Sequence, residues 1–190
     1  AEDLPEASFA GQQDSFLHVQ GEENLLAAMG RCYSSLFSDR AISYRQIHGF
    51  DHLEVALSIG VQRMVLADQA CAGVMFSLDT ESGFRDAVLL TAAYGLGESV
   101  VQGAVNPDEW LIFKPTLAQG FQPIIGRRLG EKAMRLVRCD PPVNGLTLRQ
   151  EPVEESARRS YALSDGEVLT LARWAVAIEA HYSQRRGQAT

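Results

Sequence analysis

Cysteine is scarce: Cys32, Cys71 and Cys139 are far apart, odd in number and form no CxxC pair. That argues against a zinc site and points to a reducing, cytoplasmic compartment. No run reaches the roughly 20 apolar residues of a membrane helix, so no membrane association is expected. The opening AEDLPEAS has no basic region followed by an apolar stretch, so it does not read as a signal peptide. An initiator Met is also missing, which suggests an excised piece of a longer chain. A basic surplus is absent too: 17 Lys and Arg stand against 24 Asp and Glu, a net charge of −7. No nucleic-acid footprint is expected from that balance. Gly-Lys-Ser/Thr and G-x-S-x-G are both lacking, so neither a P-loop nor a nucleophile elbow is present. Of His18, His48, His52 and His181, only His48 and His52 have a metal-like spacing, and they straddle Gly49 in an expected loop.

What is there is a chain of 190 residues, 46% hydrophobic, enough for one substantial core or two small ones sharing a cleft. Leu25, Leu26, Met29, Tyr33 and Leu36 predict a helix over 22–36, and a second runs from Asp39 to about Ile47, ending near Gly49. Short apolar runs follow. Strands are predicted at 55–66, 72–78, 86–93 and 109–115, with DTESG (79–83) as a turn. Weaker strand signals lie near 121–127, 133–138 and 145–149, with PPVNG (141–145) as a turn. Connections this short require antiparallel pairing. Ser164 and Glu167 have capping-box spacing and open a helix to about His181, followed by a polar tail. Helices, then strands, then a helix make an α+β fold rather than alternating βαβ units.

Three stretches carry candidate chemistry. YGLGESVVQGAVNPDEW (94–110) concentrates glycines directly after an apolar strand. It is not a dinucleotide fingerprint, because the third glycine would fall at Val100. Its residues fit a structural turn and a ligand loop about equally. Glu98 tilts toward function, since an acid on an apolar loop must face solvent, a cation or a hydroxyl-bearing ligand. SFAGQQD (8–14) is a second small-and-polar cluster, readable as a simple turn or as a phosphate-approaching loop around Gly11. In the third, strand alternation would send Gln62 and Met64 to one face, Arg63 and Val65 to the other.

Together, AEDLPEASFAGQQDSFL, QRMVLADQACAGVMFSLDTESG and AYGLGESVVQGAVNPDEWLIFKPTL resemble the N-terminal nucleotide-binding domain of the phosphoenolpyruvate synthase family. GRRLGEKAMRLV and LSDGEVLTLARWAVAIEAHY fit as well, so the resemblance covers about residues 1–182. It implies an ATP-grasp fold, mostly antiparallel sheet with flanking helices and incomplete at both ends. It further implies ATP as ligand: Glu98 would accept hydrogen bonds from the ribose, backbone groups at Gln62, Met64 and Val65 would hold adenine, and N–H groups around Gly11, Gln12 and Gln13 would cover the phosphates. The family reaction converts ATP, pyruvate and water to phosphoenolpyruvate, AMP and phosphate through a phosphohistidine on a swivelling domain.

The departures matter equally. The family's phosphate-binding Arg-Ser-Ser segment is not in these residues, and neither is the Asp-x-Glu-Trp strand that holds Mg²⁺. Mg²⁺ is therefore expected on ligands outside this fragment, and pyruvate on missing domains. None of the four histidines matches the carrier motif. The fragment by itself is expected to be inactive. A related phosphotransferase (pyruvate phosphate dikinase or rifampin phosphotransferase) and a non-catalytic binding module are the rival readings. Exposed sheet edges would also allow a homodimer.

Overall fold

The computed structural model describes residues 3–4, 7–8, 13–143 and 146–186. Two compact units divide the chain, Ala1–Val65 and Leu66–Thr190.

The first unit begins with a two-residue ladder, β1 (Asp3–Leu4) against β2 (Ala7–Ser8). The amphipathic stretch after Gly21 forms α1 (Glu22–Ser34), which tightens into a 3₁₀ turn over Ser35–Phe37. Ser38 then caps α2 (Asp39–His48) by accepting the Ala41 N–H at 3.3 Å, and the helix stops at Gly49 as expected. Arg45 on α2 is fully buried, its guanidinium donating to Leu36 O and to His52 Nδ1.

The strand expected at 55–66 is not formed; these residues have irregular backbone. Their alternation survives in part, since Val55, Leu57 and Ile59 are half-buried while Ala56, Ser58 and Gly60 are exposed. A strand, however, exists only through a partner that takes its N–H and C=O groups, and none of the described residues supplies one. The pattern was real, but it carries no ladder.

The second unit is built on a four-stranded antiparallel sheet in the order β3 (Cys71–Phe76), β4 (Ala87–Tyr94), β5 (Asp108–Phe113), β6 (Ile124–Arg128). Between the first two, Asp79 organises the expected turn: its backbone accepts Gly83 N–H at 2.8 Å and its carboxylate accepts Glu81 N–H at 3.1 Å. β4 is buried on both faces, which explains its nearly unbroken apolar sequence. On one face Val88, Leu90 and Ala92 meet Trp110 and Ile112 of β5. Covering that face is α6 (Asp165–Arg186), which presents Val168, Ala172 and Ala175 at helical spacing.

The capping box at the start of α6 is formed as read. Glu167 Oε2 accepts the Ser164 N–H at 2.8 Å and its hydroxyl at 2.7 Å, and Ser164 Oγ accepts the Glu167 N–H at 3.4 Å. The helix runs five residues beyond the expected His181, through Arg186. Short helices α3 (Glu98–Val101) and α4 (Lys114–Ala118) follow β4 and β5. A separate hairpin joins β7 (Met134–Val143) to β8 (Leu146–Pro152), and α5 (Glu155–Arg158) leads on towards α6. Part of the PPVNG turn lies outside the described residues. Cys71 is half-buried at the start of β3, where desolvation and then the charges of Glu167 and Asp108 push its thiol up. No described helix is long and apolar enough to cross a membrane.

Candidate functional site

The glycine-rich stretch after β4 is clamped from both sides. Gly95 leaves the strand at φ +87 and donates its N–H to Ala70 O at 3.1 Å, while Leu96 donates to Leu136 O at 2.9 Å. A Cβ at Gly95 would lie 2.6 Å from Leu136 O and 3.0 Å from the Arg135 Cβ, so both its conformation and its neighbours demand glycine. Ser99 then donates its hydroxyl to Leu96 O at 3.1 Å, closing the turn into α3. The loop is therefore rigid where it presents Glu98.

Glu98 is half-buried at the first position of α3. Gln102, one helical turn on, donates its amide to Glu98 Oε1 at 2.8 Å. Among the described residues no hydrogen bond reaches Oε2. An ionised carboxylate is an acceptor only, so this oxygen suits hydroxyl donors or a cation.

The motif's closing Asn-Pro-Asp has a different task. Asp108 is fully buried and accepts from Lys132 Nζ at 2.5 Å, the Gly130 N–H at 2.8 Å and the Ala162 N–H at 2.7 Å. Lys132, also fully buried at φ +43, donates further to Gly130 O at 3.0 Å and Arg158 O at 3.3 Å. Gly130 passes so close to Pro107 that an added Cβ would sit 2.2 Å from its carbonyl. The end of the motif is thus a staple onto residues 130–132.

The other candidates lie in the first unit, apart from Gly11 and Gln12, which fall outside the described residues. Gln13 is half-buried, with Oε1 2.8 Å from Ser35 Oγ and Nε2 buried without a partner. The Ser35 hydroxyl has one proton, and Cys32 O lies closer at 2.6 Å. Turning the Gln13 amide over would let its NH₂ donate to Ser35 Oγ while the hydroxyl donates to Cys32 O. Met64 is half-buried and its sulfur accepts the His18 N–H at 3.2 Å. The structure thereby brings Met64 against the segment leaving the FAGQQ stretch. Gln62 and Val65 are exposed, the latter at 83%. His48 and His52 are engaged elsewhere, with Tyr44 O and Arg45 respectively. No three His, Cys, Asp or Glu side chains among the described residues gather as metal ligands.

Sequence reasoning missed two charged residues beside the glycine loop. Asp68 and Arg138 form an ion pair at 3.1 Å, with side chains 10% and 18% exposed. Single charges 70 positions apart leave no motif to read.

Comparison with known proteins gives the site its context. The sequence model described as pyruvate phosphate dikinase, AMP/ATP-binding domain, matches residues 1–186. A phosphoenolpyruvate synthase of Synechocystis is 59% identical over 187 residues, 98% of this chain. Those of Helicobacter pylori and Escherichia coli are 54% and 53% identical, over 99% and 97% of it. The chain spans about 23% of the length of each of these curated relatives.

Proposed function

Since the chain belongs to the pyruvate phosphate dikinase AMP/ATP-binding domain family, an ATP-grasp type, we propose that it is the nucleotide-binding part of a phosphoenolpyruvate synthase. The parent reaction would be ATP, pyruvate and water to phosphoenolpyruvate, AMP and phosphate. This segment binds ATP, and the phosphohistidine and pyruvate sites lie in other parts of the polypeptide.

Within it, Glu98 accepts hydrogen bonds from the ribose hydroxyls. The observation that supports this is the open Oε2 of a carboxylate whose other oxygen Gln102 already holds, on a loop pinned at Gly95 and Leu96. Backbone groups around Gln62, Met64 and Val65 hold adenine, for which a segment outside any ladder has unspent donors and acceptors. Gly11, Gln12 and Gln13 cover the phosphates with their N–H groups. Phosphoryl transfer needs charge neutralisation such as Mg²⁺ supplies. Among the described residues no three His, Cys, Asp or Glu side chains gather to hold it.

Glu98→Gln keeps the side chain's size and its contact with Gln102 while removing the charge. Equilibrium dialysis should show ATP affinity falling by about tenfold, the worth of hydrogen bonds to a charged acceptor. Unchanged affinity would remove Glu98 from the site.

A further inference from the structure

The clamps on the glycine loop belong to a closed ring of contacts. Ala70 O holds Gly95 N–H and Leu136 O holds Leu96 N–H. Two residues before Ala70 stands Asp68, two residues after Leu136 stands Arg138, and these two side chains close the ring at 3.1 Å. Asp68 lies in the 3₁₀ turn Ala67–Gln69, directly after the segment that carries Met64 and Val65, and Arg138 lies on β7. Both side chains are largely shielded from solvent, where an ion pair is screened less than at the surface.

We propose that Asp68 and Arg138 are positioning residues for the nucleotide loop. They hold the two clamping segments, the turn ending at Ala70 and β7 at Leu136, at the separation that keeps Glu98 in register with a ribose, without touching the nucleotide themselves. The inference rests on the ribose reading of Glu98 given above. At its base the loop is tied by main-chain hydrogen bonds to both clamps, Gly95 N–H to Ala70 O and Leu96 N–H to Leu136 O. A change in the spacing between residues 70 and 136 must therefore move Gly95 and Leu96, and with them the first turn of α3. The ion pair is a side-chain contact across that spacing. Arg138 has a second stake in the geometry, since its Nε is buried without a partner and is tolerated only while the guanidinium is anchored at its far end.

The test compares ATP with 2′,3′-dideoxy-ATP, which lacks the hydroxyls, on the full chain by equilibrium dialysis below the melting range. The unsubstituted protein should prefer ATP. Arg138→Gln should weaken ATP by about tenfold but the dideoxy nucleotide by less than about threefold, because only the hydroxyl contacts depend on the loop's placement. Arg138→Lys, which preserves the charge opposite Asp68, should stay within about threefold of the parent for both nucleotides. Equal weakening of both nucleotides by Arg138→Gln, no weakening of either, or failure of the lysine variant to recover ATP binding would overturn the proposal. If the unsubstituted protein and Glu98→Gln both bind the two nucleotides equally, the ribose reading itself is wrong and the positioning role falls with it.

Discussion

Replacing Lys132 with methionine removes an ammonium group while keeping a stem of similar length on the same left-handed backbone. Asp108 would then retain the Gly130 and Ala162 N–H donors at 2.8 and 2.7 Å but lose its counter-charge, in a position with no solvent exposure. Removing one partner of a buried pair costs about 3–5 kcal/mol, because the remaining charge is left uncompensated. Domains have roughly 5–15 kcal/mol in total, so the variant should lose about a fifth of its stability or more. In thermal unfolding the midpoint should fall by about 6–20 °C at the usual 2–4 °C per kcal/mol for a chain of this size. Urea titration followed by far-UV circular dichroism should show the same loss with an unchanged slope. The double variant Asp108→Leu with Lys132→Met should not return to the parent level. Leucine would orphan the Gly130 and Ala162 N–H groups, each costing about 1–3 kcal/mol. A single variant within about 1 kcal/mol of the parent would refute the claim that this staple secures the end of the glycine-rich motif.

Gly95→Ala forces a Cβ to within 2.6 Å of Leu136 O at a φ of +87, so it should lower the melting midpoint and weaken ATP binding together. Differential scanning fluorimetry with and without nucleotide reads both effects. Ser164→Ala removes the hydroxyl that accepts the Glu167 N–H and donates to its carboxylate, leaves the residue 164 N–H on that carboxylate, and should lower the midpoint near neutral pH by about 2–4 °C. The Ser164 hydroxyl and N–H hold the Glu167 carboxyl below its usual range. A lowered folded value stabilises fully above the ordinary glutamate range and fades as pH falls through that lowered value. The gap between parent and variant should therefore narrow on acidification, and a gap that widens would contradict the cap.

Much of the fold was legible because its signals are local. β4 and β5 show their apolar faces in sequence, and the Ser164 and Glu167 pair announces α6 four residues ahead of its first buried side chain, Val168. The segment 55–66 was misread for a physical reason: alternation reports which side chains are shielded, whereas a strand also needs a neighbour to bond. The candidate site divides similarly. The glycines and Glu98 stand out within one loop. Asp68 with Arg138, and Asp108 with Lys132, are pairings created by the fold between residues that carry no signal singly. The Pro-Asp closing the glycine motif looked like part of a ligand loop, yet its carboxylate is spent inside the protein.

On the reading proposed above, this chain presents a working nucleotide site. The most direct test is thermal unfolding of the chain with and without excess Mg-ATP. At about 100 times the dissociation constant, a ligand that binds only the folded state adds about 2.7 kcal/mol. One cooperative transition should rise by several degrees with ATP, with a smaller rise for Glu98→Gln at the same concentration. A cooperative transition that stays at the same temperature across millimolar Mg-ATP would contradict it.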